Sequence, residues 1–246
     1  MGTRLLLFIS VIILLSATAC TSAKKIAYFE DAKDIDYGSN LGMVEAPIQK
    51  NDLLQITVSS RSAVASAEFN KPENSKGYLV SNDGYVQLPT LGNVMAAGLT
   101  KKQLIESIIS IILSKKLLLD PLVEIRHLNF EVTVLGEVAH PTVISVPSEQ
   151  ISLIKALGLA GDLTIFGKRE NVLLIREEDG KRTTRHLDLN SAAFLSSPYY
   201  YLKPNDVVYV EPNKTKIAAT DRSQQIIPVV LSGISILVLV LDRVIK

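Results

Sequence analysis

The 246-residue sequence predicts an α+β fold, with two small mixed units followed by an apolar C-terminal helix. Short runs of alternating apolar residues, separated by Asn, Asp, Gly and Pro, are typical of strands joined by turns. Residues 104–112 and 153–160 instead carry apolar side chains at helical spacing. Residues 226–241 are apolar almost throughout, which predicts the terminal helix.

Composition limits the class of protein and of partner. The hydrophobic fraction of 47% and the charged fraction of 21% are those of a globular chain, which excludes a disordered chain and a polytopic membrane protein. The formal net charge is +1, and the Lys and Arg residues are scattered along the sequence. Because nucleic-acid binding needs a clustered basic face, no nucleic-acid partner is expected.

The first unit, residues 44–128, begins with a strand after the Asn-Asp turn at residues 51–52. Residues 78–80 and 85–88 flank an Asp-Gly turn, which predicts that these two runs pair as a hairpin. A helix then starts at a capping box of Thr and Gln, 100 and 103, and we expect Lys115 and Lys116 to close its last turn.

The second unit, residues 129–213, begins with a strand from Phe130 that pairs with a return strand after Pro141. Ser152 is a candidate cap for a helix that ends at Gly161. A second hairpin and a closing strand follow. The order hairpin, helix, hairpin and closing strand predicts a β-grasp unit.

The N-terminus is typical of a secretory signal peptide, residues 1–19. Arg4 gives it a basic start, residues 5–15 form its apolar run, and small residues follow. Cys20, the only cysteine in the sequence, comes next and cannot form an internal disulfide. We interpret Cys20 as the acylated first residue of a bacterial lipoprotein; the alternative is an incidental cysteine in a discarded peptide.

The apolar C-terminal run has about 16 residues, or roughly 24 Å of helix, whereas a lone spanning helix needs about 20. On a helical wheel eight polar or charged residues and one proline fall within an arc of about 100°, interrupted only by Leu239. They are Asp221, Gln224, Gln225, Pro228, Ser232, Ser235, Asp242, Arg243 and Lys246. Two interpretations stay open: a plain membrane anchor, or a helix whose polar stripe faces sister helices or water.

No motif in the sequence is typical of a catalytic or cofactor site. The signatures of serine hydrolases, zinc proteases, phosphate loops and dinucleotide-binding folds are absent. The three histidines, His127, His140 and His186, stand apart without the spacing of metal ligands. We therefore expect neither a metal nor a cofactor.

Asp52 and Asp206 are the remaining candidates for chemistry, since each follows Asn in a turn just before an apolar strand. A glycosidase would need two carboxylates within about 5–10 Å. Aspartate in such a turn, however, commonly accepts hydrogen bonds from the turn's own N–H groups. We favour this structural role and predict that the protein is not an enzyme. Residues 199–201, three tyrosines, allow sugar stacking, but tyrosine is also common in strands.

Seven stretches together resemble the polysaccharide export outer-membrane proteins, lipoproteins that form the exit channel for capsular or extracellular polysaccharide. Those in the first unit are IQKNDLLQITV, VSNDGYVQLPTLGNVMAAGLTKKQL and LLLDPLVEIRHLNFEVTVLGEV. Those in the second unit are VLGEVAHPTVISV, ISLIKALGLAGDLT, NVLLIRE and YYLKPNDVVYVEP. The first unit is similar to the family's polysaccharide-export domain, and the second to its SLBB domain, a β-grasp module.

The sequence departs from the family pattern at four turns. Asn51, Asn205, Asp162 and Thr142 stand where the family usually has glycine. Because Asn and Asp tolerate the left-handed conformation best after glycine, we expect the turns at the first three positions to be kept.

The resemblance implies an organisation in five segments: a signal peptide 1–19, a lipidated linker 20–43, a polysaccharide-export domain 44–128, one SLBB domain 129–213 and a membrane-spanning helix 223–246. It also implies a homo-oligomeric ring in the outer membrane, with periplasmic domains. An inner-membrane polysaccharide co-polymerase, often a tyrosine autokinase, is the implied partner.

In such a ring, Cys20 would carry the lipid anchor and the C-terminal helices would cross the membrane side by side. Gln225, Ser232 and Ser235 would then line the lumen, because a polar stripe is tolerated where water fills a pore. The alternative to a channel is a periplasmic glycan-binding lipoprotein whose C-terminal helix is only an anchor.

Overall fold

The computed structural model describes residues 27–37, 45–72, 75–178, 180–220 and 222–245. It has the α+β fold that the sequence predicts, with helices and strands mixed along the chain. Two separate hydrophobic clusters form, one in each unit. The signal peptide and Cys20 lie outside the described residues.

The first unit contains a three-stranded antiparallel sheet and a separate two-stranded hairpin. The sheet has the order β2-β1-β5, with β1 Leu53–Ser59, β2 Tyr78–Leu79 and β5 Leu122–His127. The hairpin consists of β3 Tyr85–Leu88 and β4 Gly92–Met95, and the helices are α1 Ala63–Ala67 and α2 Lys101–Ser114. Every second residue of β1 is buried, which gives the sheet one face toward the core.

The predicted hairpin between residues 78–80 and 85–88 is wrong. β2 pairs with β1, while β3 pairs with β4 in a register that sets Val86 opposite Val94. The Asp-Gly turn does form locally, since the Ser81 N–H donates to the carbonyl of Tyr85 at 2.8 Å. The β3–β4 pairing places both valines of the register in the core, which explains why this hairpin forms.

Helix α2 starts at the predicted capping box, in which Thr100 and Gln103 bond each other's backbone N–H groups. Its apolar stripe buries Leu104, Ile108 and Ile112. The helix ends at Ser114, earlier than predicted, because Lys116 adopts a φ of +53° and the Leu117 N–H returns to the carbonyl of Ile112. This is a Schellman end.

The second unit is a five-stranded mixed sheet with the order β7-β6-β10-β8-β9. Its strands are β6 Glu131–Gly136, β7 Thr142–Ser145, β8 Gly167–Glu178, β9 Lys181–Leu187 and β10 Val207–Pro212, and its helix is α3 Leu153–Leu159. The closing strand β10 lies between the two hairpins and runs parallel to β6. This is the strand order of a β-grasp.

Close approach of β10 explains the glycine that ends β6. A Cβ on Gly136, whose φ is +90°, would lie 2.1 Å from the carbonyl oxygen of Val210. Helix α3 begins where predicted, because the Ser152 hydroxyl accepts a hydrogen bond from the Lys155 N–H.

Two segments flank the units. Residues 27–37, predicted as part of a linker, pack against the second unit, where the Phe29 N–H donates to the carbonyl of Leu189 and the Glu30 N–H to that of Asn190. After β10, helices α4 Lys214–Thr220 and α5 Arg222–Ile245 complete the chain.

Candidate functional site

Asp52 and Asp206 occupy two turns of the same geometry. The Gln49 N–H donates to Oδ2 of Asp52 at 2.8 Å, and the Asp52 N–H returns to the Gln49 carbonyl at 3.2 Å. In the second unit, the Lys203 N–H donates to Oδ2 of Asp206 at 2.8 Å, and the return bond is again 3.2 Å. Both carboxylates are buried, and each turn leads directly into a strand.

The residue before each aspartate lies in the left-handed region. Asn51 has a φ of +70° and Asn205 a φ of +65°, and Asp162 has a φ of +70° after α3. The expectation that Asn and Asp keep the turns in which the family has glycine is therefore confirmed at these three positions.

Each buried carboxylate also has a partner that sequence reasoning missed. Nε2 of His127, at the end of β5, lies 3.1 Å from Oδ2 of Asp52. Arg176 in β8 binds Asp206 with two nitrogens, Nε at 2.9 Å and Nη2 at 2.6 Å. The carboxylates of Asp52 and Asp206 therefore both bind side chains of the protein itself.

A signal for Arg176 was present in the sequence. It follows Val172 and Leu174 at alternate positions of one strand, so it shares their inward-facing side. An arginine on the buried face of a strand needs an acidic partner. His127 carries a similar signal, because it follows Val123 and Ile125 at alternate positions of β5.

A polar network joins the two units around Glu149. Its carboxylate accepts hydrogen bonds from Nζ of Lys101, at the start of α2, and from the N–H of His127. Glu149 has a φ of +55° and belongs to the loop before α3. A second contact between the units joins Nε2 of Gln49 to the carbonyl of Glu177 at 3.0 Å.

Opposing effects act on the Glu149 carboxyl. Burial raises its pKa, but the hydrogen bonds from Lys101 and from the His127 N–H, together with the positive charge of Lys101, outweigh burial and hold the pKa below its usual value. The carboxylate is therefore the favoured form, and its ion pair with Lys101 links the two units.

A cleft of about 330 Å³ lies beside this network, between the units. It is lined by Glu45, Ala46, Lys101, His127, Phe130, Ser148, Glu149, Gln150, Pro198, Tyr201, Leu202, Lys203 and Pro204. Its lining combines two aromatic rings with carboxylate, amide and hydroxyl groups, which is a surface able to hold a small polar ligand.

All three tyrosines at residues 199–201 have ring contacts within the protein. The ring of Tyr199 lies 5.6 Å from the guanidinium of Arg176 and 5.9 Å from that of Arg185, whose Nε donates to the Tyr199 hydroxyl. Tyr200 packs against Phe194 and meets Tyr201 edge to face. Tyr201 alone of the three lines the cleft.

Helix α5 carries the residues for which the resemblance implies a pore-lining role. The Ser232 hydroxyl donates to the Pro228 carbonyl, and the Ser235 hydroxyl donates to the Leu231 carbonyl at 2.9 Å. Both serines are exposed. The side chain of Gln225 lies outside the described residues.

Within the described part of the chain, no helix combines the length and the apolar character that crossing a membrane requires. The predicted C-terminal span stays a prediction. The described residues also contain no group of three or more His, Cys, Asp or Glu side chains able to hold a metal ion.

Comparisons with known proteins locate two domains. Residues 44–128 match the family model for polysaccharide biosynthesis/export proteins, and residues 132–185 match that for the SLBB domain. The EPS I polysaccharide export outer membrane protein EpsA of Ralstonia solanacearum is 28% identical over 162 residues, 64% of this chain and 42% of that protein. Its counterpart in Ralstonia nicotianae is 30% identical over 159 residues, 63% of this chain and 41% of that protein.

The fold and these matches define a tandem of two α+β modules, of which the second has the β-grasp strand order. The resemblance to the polysaccharide export family seen in the sequence is confirmed, because both units match domain models found in that family. It spans less than half the length of the curated relatives that it matches.

Proposed function

We propose that this protein is a subunit of an outer-membrane channel that exports a capsular or extracellular polysaccharide. The tandem of an export domain and an SLBB domain carries the proposal, because both curated relatives with matching regions are named as polysaccharide export outer membrane proteins. The two modules lie in the periplasm, and the protein is located in the outer membrane.

The subunits form a closed ring, and each is attached to the membrane at both ends. Cys20 carries the lipid, and the apolar α5 helices insert side by side as a barrel. Helices in such a barrel can keep a polar stripe, because water in the lumen solvates it. Seven exposed apolar side chains of α5 favour an apolar environment over water: Ile226, Val229, Val230, Leu231, Ile234, Ile236 and Val240. Ile217 in α4 is exposed as well.

Export through this ring is passive, and direction comes from an inner-membrane polysaccharide co-polymerase. Gln225, Ser232 and Ser235 line the lumen and offer a neutral, weakly polar wall. A hydrated glycan passes such a wall without tight binding, because the serine hydroxyls already donate to carbonyls of their own helix. No catalysis is involved, and the carboxylates of Asp52 and Asp206 stabilise their turns by accepting hydrogen bonds from backbone N–H groups.

The lumen assignment is tested by Ser232→Leu combined with Ser235→Leu. The ring should assemble normally, but the added apolar bulk should block export, measured as loss of surface polysaccharide. Val230→Leu with Ile234→Leu is the matched control, because these residues lie on the opposite side of the helical wheel. Unchanged surface polysaccharide in the serine double variant would contradict the lumen assignment.

The alternative function is a periplasmic glycan-binding lipoprotein without channel activity. The cleft between the units favours it, since Tyr201, Gln150 and Glu45 offer a ring, an amide and a carboxylate to a saccharide. Truncation after Pro212 separates the two functions, because it leaves β10 complete and removes α4 and α5. A binding protein keeps its glycan affinity and its function after truncation, whereas a channel subunit loses export.

A further inference from the structure

The two segments that lead toward the proposed membrane attachments both dock on one part of the second unit. This part is the loop between α3 and β8, residues 160–166, which we call the α3–β8 loop. One segment, residues 27–37, comes from the N-terminal side, and the other, α4, comes from the C-terminal side. Neither sequence pattern nor domain order required them to meet there.

On the N-terminal side, the Tyr28 hydroxyl donates to Oδ1 of Asp162 in the α3–β8 loop. The Tyr28 ring also lies 5.3 Å from the guanidinium of Arg169 at the start of β8. Cys20 precedes Ala27, the first described residue, by seven positions. Because an extended chain spans at most about 3.6 Å per residue, a lipid on Cys20 would lie within about 25 Å of Ala27, the residue before Tyr28.

On the C-terminal side, the N–H of Asn213 donates to the carbonyl of Phe166 at 2.7 Å, again in the α3–β8 loop. One turn later, Nζ of Lys216 binds the carboxylate of Glu137, which also accepts the hydroxyl of Thr164 at 2.9 Å. Helix α4 is therefore fixed to the same loop before the chain continues into α5.

Apolar side chains are exposed on this part of the molecule. Ile165 in the loop is 71% exposed, Leu159 just before it is 57% exposed, and Ile217 on the docked helix is 57% exposed. Two nearby carboxylates form ion pairs, Glu137 with Lys216 and Glu211 with Lys168 at 2.8 Å, and the Asp162 carboxylate accepts the hydrogen bond from Tyr28. Moving an apolar surface from water to a lipid surface costs little desolvation free energy when its carboxylates already have partners within the protein.

We propose that the α3–β8 loop and the adjoining helices α3 and α4 form a membrane-contacting surface, on which Ile165, Leu159 and Ile217 enter the headgroup region of a lipid bilayer. Such side chains reach about 5–10 Å into the boundary between headgroups and acyl chains. The bilayer is favoured over a second copy as the occupant, because both membrane-directed segments converge here. The inference rests on the proposed function in one respect, because it assumes that both ends of the chain are attached to the membrane.

The test uses the full chain with Ile165→Cys, labelled with an environment-sensitive fluorophore and reconstituted into vesicles of phosphatidylethanolamine and phosphatidylglycerol. Brominated acyl chains in the lipid quench a fluorophore that lies at the membrane surface. Leu119→Cys is the matched control, since Leu119 is 97% exposed in the first unit. The unsubstituted chain, treated alike, reports any labelling of Cys20.

We expect several-fold stronger quenching at 165 than at 119, with the same result for a second label placed by Ile217→Cys. Quenching at 165 and 217 that does not exceed that at 119 would overturn the proposal. Protection of both labels from aqueous iodide in detergent, without quenching by brominated lipid, would also overturn it and would identify a second copy as the occupant.

The outcome is independent of whether the protein forms a channel. Lipid quenching at 165 in a protein that forms no ring would refute the proposed channel and leave the membrane-contacting surface intact. A ring that supports export without such quenching would refute only the membrane-contacting surface.

Discussion

At the scale of single residues, the two turn acids differ in what their charge does. Asp52 faces the imidazole of His127, whereas Asp206 forms a two-point ion pair with Arg176 in the core of the second unit. A buried ion pair adds little folding stability compared with an apolar pair of the same size. Removing one partner is costly, however, because the other charge stays buried without a counter-charge. The Asp206–Arg176 pair is therefore the more sensitive of the two contacts.

We predict that Asp206→Asn lowers the free energy of unfolding by about 3 kcal/mol, because the buried guanidinium of Arg176 loses its counter-charge. The full chain unfolded by urea, followed by circular dichroism, measures the change. Glu177→Gln is the matched control, since its ion pair with Arg182 is exposed and should contribute less than about 1 kcal/mol. Equal effects of the two substitutions would show that the buried pair has no special role.

Sequence reasoning found the turn acids but not their partners, for a physical reason. The turns are local, and a repeated Asn-Asp before an apolar strand shows both of them directly. The partners come from strands that are distant in sequence, Arg176 from β8 and His127 from β5, and only the folded sheets bring them close. The contact between Glu149 and Lys101 was missed for the same reason.

At the scale of secondary-structure elements, local signals decided where elements begin. Thr100 and Ser152 cap α2 and α3 as their sequences predict, because capping depends on residues only three positions away. Strand pairing was less predictable. The Asp-Gly turn predicted that β2 pairs with β3. Instead β2 pairs with β1, and β3 pairs with β4, which buries Val86 and Val94.

We expect Thr100→Ala to lower the free energy of unfolding by about 1 kcal/mol, because the Gln103 N–H loses its acceptor at the start of α2. Thr100→Ser keeps a hydroxyl in the same place and should restore most of the loss. Thermal unfolding of the three proteins in the same buffer measures both effects. A serine variant as unstable as the alanine variant would mean that the methyl group, not the cap, matters.

At the scale of the whole molecule, the Glu149 network sets how the two units are joined. Because its pKa is lowered on folding, Glu149 stabilises the folded protein fully above the ordinary glutamate pKa of about 4.3. The stabilisation is lost as the pH falls through the lowered value, where the carboxyl takes up a proton and the ion pair with Lys101 ends.

We therefore predict that acidification below the ordinary glutamate pKa lowers the protection of the His127 N–H, which donates to Glu149, when its exchange rate is compared with the intrinsic rate at the same pH. Glu149→Gln should already show faster exchange at neutral pH and should lose much of this pH dependence. Glu124→Gln, which removes an exposed ion pair with Arg126 in the first unit, should leave His127 exchange unchanged. Identical pH profiles in the Glu149 variant and the parent would refute this role.

The proposed channel requires that several copies of the chain close into a ring around a lumen. Electron microscopy of the full protein in detergent, with its mass measured in solution, tests it most directly. We predict closed rings of a single stoichiometry with a central channel. A monodisperse monomer without a lumen would contradict the account.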